Sequence, residues 1–234
     1  MTDNSQPLED ETAQTGTQLQ TTADDTEERP QRIMLVTDAW EPQMNGVVRT
    51  LSRTVDECRA MGHQIEVIHP GLGYKTFPLP TYPEIQLAIN ARGDIARRFK
   101  EFEPEAIHIA TEGPLGQAAR GICKKWGLPF TTSYHTKFPE YVHARFPFIP
   151  LSAGYAFMRW FHNASGRIMV TTPSMRDDLA ARGFKNLTAW ARGVDIELFN
   201  PDKRRVNGED VYEGLERPIW VNVGRIAVEK NIET

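Results

Sequence analysis

Near the end of this 234-residue chain, the stretch VGRIAVEKN places Arg225 and Lys230 on a loop and first helical turn after Gly224, where a strand-like run closes. Two cations beside a helix N-terminus make an anion clamp, because side-chain charge and free backbone N–H groups point at the same place. His135, in TTSYHTKFPEY, directly follows another strand-like run, so its imidazole is expected to face the strand ends rather than the core. There it can hydrogen-bond a ligand hydroxyl or shuttle a proton, or be a satisfied structural histidine. In TDAWEPQMNGVVRT, Asn45 and Gly46 stand at a helix start. Gly46 either lets an anion approach the backbone N–H groups or is a turn glycine in a long loop. Glu112, in HIATEGPLG, precedes a helix, where a carboxylate caps the first turn or meets a ligand. In WARGVDIELFNP, Arg192 offers either phosphate pairing or an interdomain salt bridge, and Asp195 opens a short helical turn.

These residues need a scaffold that brings loop starts together. Short apolar runs (Ile33–Thr37, Ile65–His69, Ala106–Ile109, Phe130–Tyr134, Ile168–Thr171) alternate with helical patterns (Val47–Met61, Ala91–Phe102, Gly116–Trp126, Gly154–His162, Ser174–Arg182). A hydrophobic period that switches between 2 and 3.6 predicts α/β architecture, a doubly wound parallel sheet of Rossmann-like type with ligands at the carboxyl ends of the strands. Gly62, Gly127 and Gly183 stand where helices should end, and Pro173 where one should begin. The expected organisation is an acidic disordered tail over 1–31, a Rossmann-like domain over 32–200 and a charged linker over 201–217. Residues 218–234 then read as the first strand, IWVNVGR, of a second domain.

Composition narrows the function classes. With 40% hydrophobic and 25% charged residues and a mean hydropathy of −0.47, the chain reads as globular, and no apolar run reaches the roughly 18 residues of a membrane span. The first 30 residues carry eight acids against Arg29 alone, leaving 23 acids and 26 bases in the remainder. That mild surplus suits an anionic partner but lacks the clustered basic face of a nucleic-acid binder. The tail has no basic and apolar segments of a secretory leader, so the expected compartment is the cytoplasm, with Cys58 and Cys123 as reduced core thiols. The segment HARFPFIPLSAGYAFMRWFHNAS is either a membrane or acceptor surface or an amphipathic helix packed on the sheet. P-loop, nucleophile-elbow and zinc spacings are missing, so no metal is expected.

Taken in order, TDAWEPQMNGVVRT, SYHTKFPEY, RGVDIELFNP and VGRIAVEKN resemble the retaining family-4 glycosyltransferases of GT-B fold, notably the bacterial mannosyl-, glucosyl- and sulfoquinovosyl-diacylglycerol-type enzymes. The resemblance runs from about Arg32 to Thr234. It implies two Rossmann-like domains facing a cleft, with this chain supplying the acceptor half and the first piece of the donor half. It further implies that Gly46 approaches the donor, that His135 touches the donor sugar near the reacting carbon, and that Arg225 and Lys230 hold the diphosphate. Arg192 and Asp195 match a motif at the domain junction. No cofactor is implied beyond a UDP- or GDP-linked sugar as co-substrate, and the acceptor is a lipid or glycan hydroxyl. Peripheral contact with the inner face of the plasma membrane is expected, as is weak or no turnover by this chain alone. The rival readings are a non-catalytic binding module and a sugar-nucleotide epimerase of similar build.

Overall fold

The structure, a computed structural model, describes residues 29–79, 82–203, 214–216, 218–221 and 223. Strand β1 (Arg32–Val36) is apolar on both faces and lies inside the sheet. Helix α1 (Gly46–Ala60) returns the chain to β2 (Gln64–Ile68), which pairs in parallel with β1. An antiparallel hairpin follows, β3 (Lys75–Leu79) with β4 (Tyr82–Ile89), and then α2 (Arg92–Phe102). The chain re-enters the sheet on the other side of β1 as β5 (Ala106–Ile109), and continues through α3 (Pro114–Trp126) and β6 (Thr131–Tyr134). Helices α4 (Phe138–Arg145) and α5 (Leu151–His162), strand β7 (Arg167–Val170), helix α6 (Pro173–Ala181) and strand β8 (Leu187–Ala189) complete it.

The six-stranded sheet runs β2-β1-β5-β6-β7-β8, parallel throughout. This is the doubly wound α/β architecture expected of the sequence. Its order reverses at β1, because β2 lies on one side and β5 on the other. Loops leaving β1 and β5 therefore diverge to opposite faces and open a crevice at their carboxyl ends.

Alternation along the strands divides the core into two faces. Met34, Val36, Ile107 and Ile109 pack with Ile95 and Phe99 of α2 and with Leu115, Ala119 and Ile122 of α3. On the opposite face, Leu35 meets Leu51 and Val55 of α1, with Trp40 and Trp190 against them. Beside β7, Ile168 and Val170 pack on Tyr155 and Met158 of α5 and Leu179 of α6. Gly62, Gly127 and Gly183 all have positive φ after their helices, and Pro173 opens α6. Both cysteines are free, Cys123 buried and Cys58 half-buried.

Three elements depart from the sequence reading. The β3–β4 hairpin was hidden by Pro78 and Pro83, which argue against a strand, yet both strands of a two-stranded ribbon are edges, where proline is tolerated. Helix α4 has too weak an apolar stripe to read as a helix, and β8 is only three residues long. At the N-terminal edge, Arg29 pairs with Glu105 at 2.6 Å, and Gln31 accepts from the Gln64 N–H and donates to His63 Nδ1, so the chain just before β1 is tied to the sheet. Earlier tail residues, the bulk of the linker, and Gly224, Arg225 and Lys230 lie outside the described residues. Of the predicted strand IWVNVGR, the described residues 219–221 and 223 join no ladder, and Trp220 is 90% exposed. Among the described residues, no helix is long and apolar enough to cross a membrane.

Candidate active site

The crevice is built around Asp38, the second residue beyond β1. Its buried carboxylate accepts hydrogen bonds from the Leu115 N–H (3.0 Å), the Gly116 N–H (3.4 Å) and the Thr111 hydroxyl (2.9 Å). One hydroxyl on the β5–α3 connection and two N–H groups of the first turn of α3 are thus held by a side chain from β1's loop, which caps the α3 N-terminus. Burial pushes the Asp38 carboxyl up to about 6, against the pull of these hydrogen bonds. Gly113 and Gly116 are needed for so close an approach: a Cβ at Gly113 would lie 2.4 Å from the Asp38 carboxyl carbon, and one at Gly116 only 1.9 Å from the Thr111 carbonyl oxygen.

The same loop continues to α1. Gln43 is buried and donates through Nε2 to the Asp38 carbonyl (3.1 Å) and accepts from Asn45 Nδ2 (3.4 Å). Asn45 Oδ1 accepts from the N–H groups of Val47 and Val48, both at 3.0 Å, and so caps α1. Gly46 is exposed at the first helical position, and a Cβ there would meet nothing within 4 Å. Among the described residues, no neighbour therefore demands glycine at 46.

Glu112 does not cap α3, a role the more deeply buried Asp38 takes. Its Oε1 instead lies 3.0 Å from Nε2 of His162, which is fully buried on α5 and hydrogen-bonded through Nδ1 to Thr132 Oγ1 at 2.9 Å. A β5–α3 loop residue is thereby tied to β6 and α5.

His135 sits immediately beyond β6, as its sequence position implied. Arg192 Nη2 donates to its Nδ1 at 3.2 Å, and Trp190 packs against the ring with centroids 5.8 Å apart. Arginine has no acceptor, so Nδ1 must be the lone-pair nitrogen and the neutral ring carries its proton on Nε2. That Nε2 is buried and, among the described residues, without a hydrogen-bond partner. Burial, then the charge of Arg192, lowers the His135 pKa to about 3, which leaves the ring a neutral donor and not a proton shuttle near pH 7. Beside it, His108 on β5 is fixed between Thr131 Oγ1 (2.8 Å) and Ser133 Oγ (2.7 Å), also neutral because burial lowers it to about 4.

Asp195 begins the helical turn that the sequence suggested, accepting from the Leu198 N–H at 2.9 Å through Oδ1 and from the Phe199 N–H through its carbonyl. The fold thus brings Asn45, Gly46, Glu112, His135 and Arg192 to the carboxyl edge of one sheet, with Asp195 three residues beyond Arg192. Sequence reasoning passed over Asp38, His162 and Trp190. Asp38 had a signal, a lone acid directly after a fully apolar strand, whereas His162 was masked by its place inside a helical apolar pattern.

Residues 44–198 match Glycosyltransferase Family 4. The chain is similar to the sulfoquinovosyl transferase of Arabidopsis thaliana, 30% identical over 229 residues that cover 88% of this chain and 44% of that protein. It is 29% identical over 223 residues to a GDP-mannose-dependent alpha-mannosyltransferase of Corynebacterium glutamicum, covering 88% and 54% respectively. With the alpha-monoglucosyldiacylglycerol synthase of Streptococcus pneumoniae it shares 23% identity over 224 residues, covering 86% and 50%. The chain spans about half the length of these curated relatives. With a parallel doubly wound sheet, a switch-point crevice and a family match over more than half its length, the chain belongs to Glycosyltransferase Family 4.

Proposed function

We propose that this chain is the acceptor-side, N-terminal part of a retaining glycosyltransferase that moves a sugar from a nucleotide-diphosphate sugar to a lipid or glycan hydroxyl. The observation that carries the reading is the His135 Nε2–H at the strand ends, a buried donor with no partner among the described residues, locked in one tautomer by Arg192. A fixed, dry donor is what a donor-sugar hydroxyl next to the reacting carbon needs, because it stabilises developing charge without reorganising. Gly46 suits the same cleft, since its exposed first-turn position leaves open space over a helix N-terminus.

In this proposal the bond between the anomeric carbon and the diphosphate oxygen breaks as the acceptor oxygen bonds the same face, and the acceptor proton passes to the leaving phosphate. Arg225 and Lys230, outside the described residues, hold the diphosphate and absorb its charge. The relatives named for GDP-mannose, sulfoquinovosyl transfer and monoglucosyldiacylglycerol support a nucleotide sugar and a lipid-linked acceptor. Peripheral membrane contact fits the α4–α5 connection, where Phe146 and the 81% exposed Phe148 pack edge to face while α5 buries its opposite side.

The test is a transfer assay on the natural protein with UDP- and GDP-sugars and a membrane lipid extract, following nucleoside diphosphate release and glycosylated product together. Removing one preorganised donor costs about 10²-fold or more in turnover, and His135→Ala and Lys230→Ala are each expected to lose at least that. Wild-type turnover in both variants would falsify the site assignment, and a product of inverted anomeric configuration would remove retention.

A further inference from the structure

Charge is unevenly spread along this chain. Residues 1–28, outside the described residues, carry eight acids and no Lys or Arg, and seven of the acids fall in two groups, 9–11 and 24–28. Residues 113–176 carry eight Lys and Arg and one acid, Glu140.

The fold gathers part of that basic surplus at one place. Because the six strands are parallel, the residues that precede them share the amino edge of the sheet, at the opposite end from His135. Lys124 and Lys125 end α3 there, Arg167 opens β7 and Lys185 stands just before β8, all four exposed. The dipole of α3 accounts for the two lysines in its last turn, but not for Arg167 on a strand. Among the described residues none of the four is held in an ion pair, whereas Arg29, Arg97, Arg98 and Arg182 each meet a carboxylate.

The acidic segment joins the fold at this same edge. Arg29 pairs with Glu105, just before β5, and the Gln31 carbonyl accepts from the Gln64 N–H at the start of β2, which fixes the chain beside the start of β1. From β1 to β8 the sheet order takes four steps of about 4.8 Å, roughly 19 Å in all. Asp24 is five residues from Arg29, a reach of up to about 17 Å in extended chain. Residues 9–11 lie eighteen to twenty positions before Arg29, where a chain spans about 25 Å on average, enough to meet Lys185. Of the acids near the end of α2, Arg97 neutralises Glu101 and Arg29 neutralises Glu105, so of these three only Glu103 opposes the approach.

We infer that residues 1–28 dock on the amino edge of their own domain, with their acids against Lys124, Lys125, Arg167 and Lys185. Each exposed pair is weak and screened by salt, but acids tethered beside the cations they face act at a high effective concentration. The contact involves neither His135 nor Arg225 and Lys230, so it stands or falls apart from the transfer reading.

Zero-length carbodiimide cross-linking of the full chain, mapped by mass spectrometry, tests it. At low salt the acids of 9–11 and 24–28 are expected to link, within one molecule, to Lys124, Lys125 or Lys185 about fivefold more often than to Lys75 or Lys137. Those links should vanish in about 1 M NaCl, where the screening length falls to about 3 Å. A glutamate-specific protease gives a second readout. Lys124→Gln, Lys125→Gln and Lys185→Gln combined, all at exposed positions and expected to leave the fold intact, should speed cleavage after Glu27 about fivefold, because cleavage follows the population of undocked segment. Lys75→Gln should leave that rate unchanged. The inference is overturned if the acids link to all five lysines alike, link only between molecules, or do not link. It is equally overturned if the triple variant is cleaved at the wild-type rate.

Discussion

Single residues in this crevice trade burial against charge, and the trade sets a pH dependence. The Asp38 carboxyl is raised to about 6, so the folded state holds its proton more tightly than the unfolded chain; its stabilising contribution is full below about pH 4 and lost as pH rises through 6. His108 and His135, lowered to about 4 and about 3, run the other way: their contribution is full above the unfolded histidine value near 6.5 and is lost as pH falls toward the folded values. Two histidines outweigh one aspartate across the shared window. Thermal unfolding is therefore expected to show roughly 2–3 kcal/mol less stability at pH 4.5 than at pH 7, after discounting the partial exposure of both rings. Asp38→Asn should steepen that acid loss by removing the opposing group, and His108→Gln should flatten it; the same slope in all three proteins would contradict the balance. Glycines give a second residue-scale contrast. Gly116→Ala drives a Cβ into the Thr111 carbonyl and should cost about 2 kcal/mol or more, whereas Gly46→Ala meets open space and should leave the melting temperature unchanged or slightly higher. A Gly46→Ala protein that is stable but impaired in transfer would mark position 46 as a ligand contact.

Elements carry the site because their ends are capped from a distance. Asn45 caps α1 locally, and Asn45→Ala is expected to cost about 1 kcal/mol in chemical denaturation; a loss of only a tenth or two would mean the cap is replaced by water. Helix α3 is capped by Asp38, 77 residues from Leu115 in the chain. This difference explains what could be read in advance. Local signals, such as the glycine after α3, the proline opening α6 and the apolar β1, are properties of neighbouring residues, and each lands where the sequence placed it to within a residue or two. His135 was legible for the same reason, since any residue directly after a parallel strand reaches the strand-end loops. Long-range pairing left no such mark. Nothing near Glu112 indicates that His162, fifty residues on, will claim its carboxylate in place of the helix terminus. The β3–β4 hairpin was hidden for a different reason, because its prolines are permitted only by an edge that exists in three dimensions.

At the scale of the whole molecule, the two sheet faces are unequally covered among the described residues. Helices α2, α3 and α5 pack one face, whereas on the other a cavity of about 570 Å³ opens beside α1 along Ile33, Ala106, Thr131, Met169 and Trp190. A hydrophobic dye such as anilinonaphthalene sulfonate should consequently fluoresce with the folded protein, and Met169→Lys should reduce the signal; no enhancement at neutral pH would mean that this face is occluded in solution. The strand order has another consequence, one of timing. In the ladder, Ile33 is paired with Ala106 and Val36 with Ile109, so β1 lacks one of its two neighbours until more than seventy further residues have been made. Such non-local pairing is slow to form and leaves apolar strands open while it waits. On the ribosome, the first half of this domain must stay unfinished until β5 has emerged, and a nascent chain halted before Ile109 is expected to be held by chaperones, whereas one halted well beyond β8 is released.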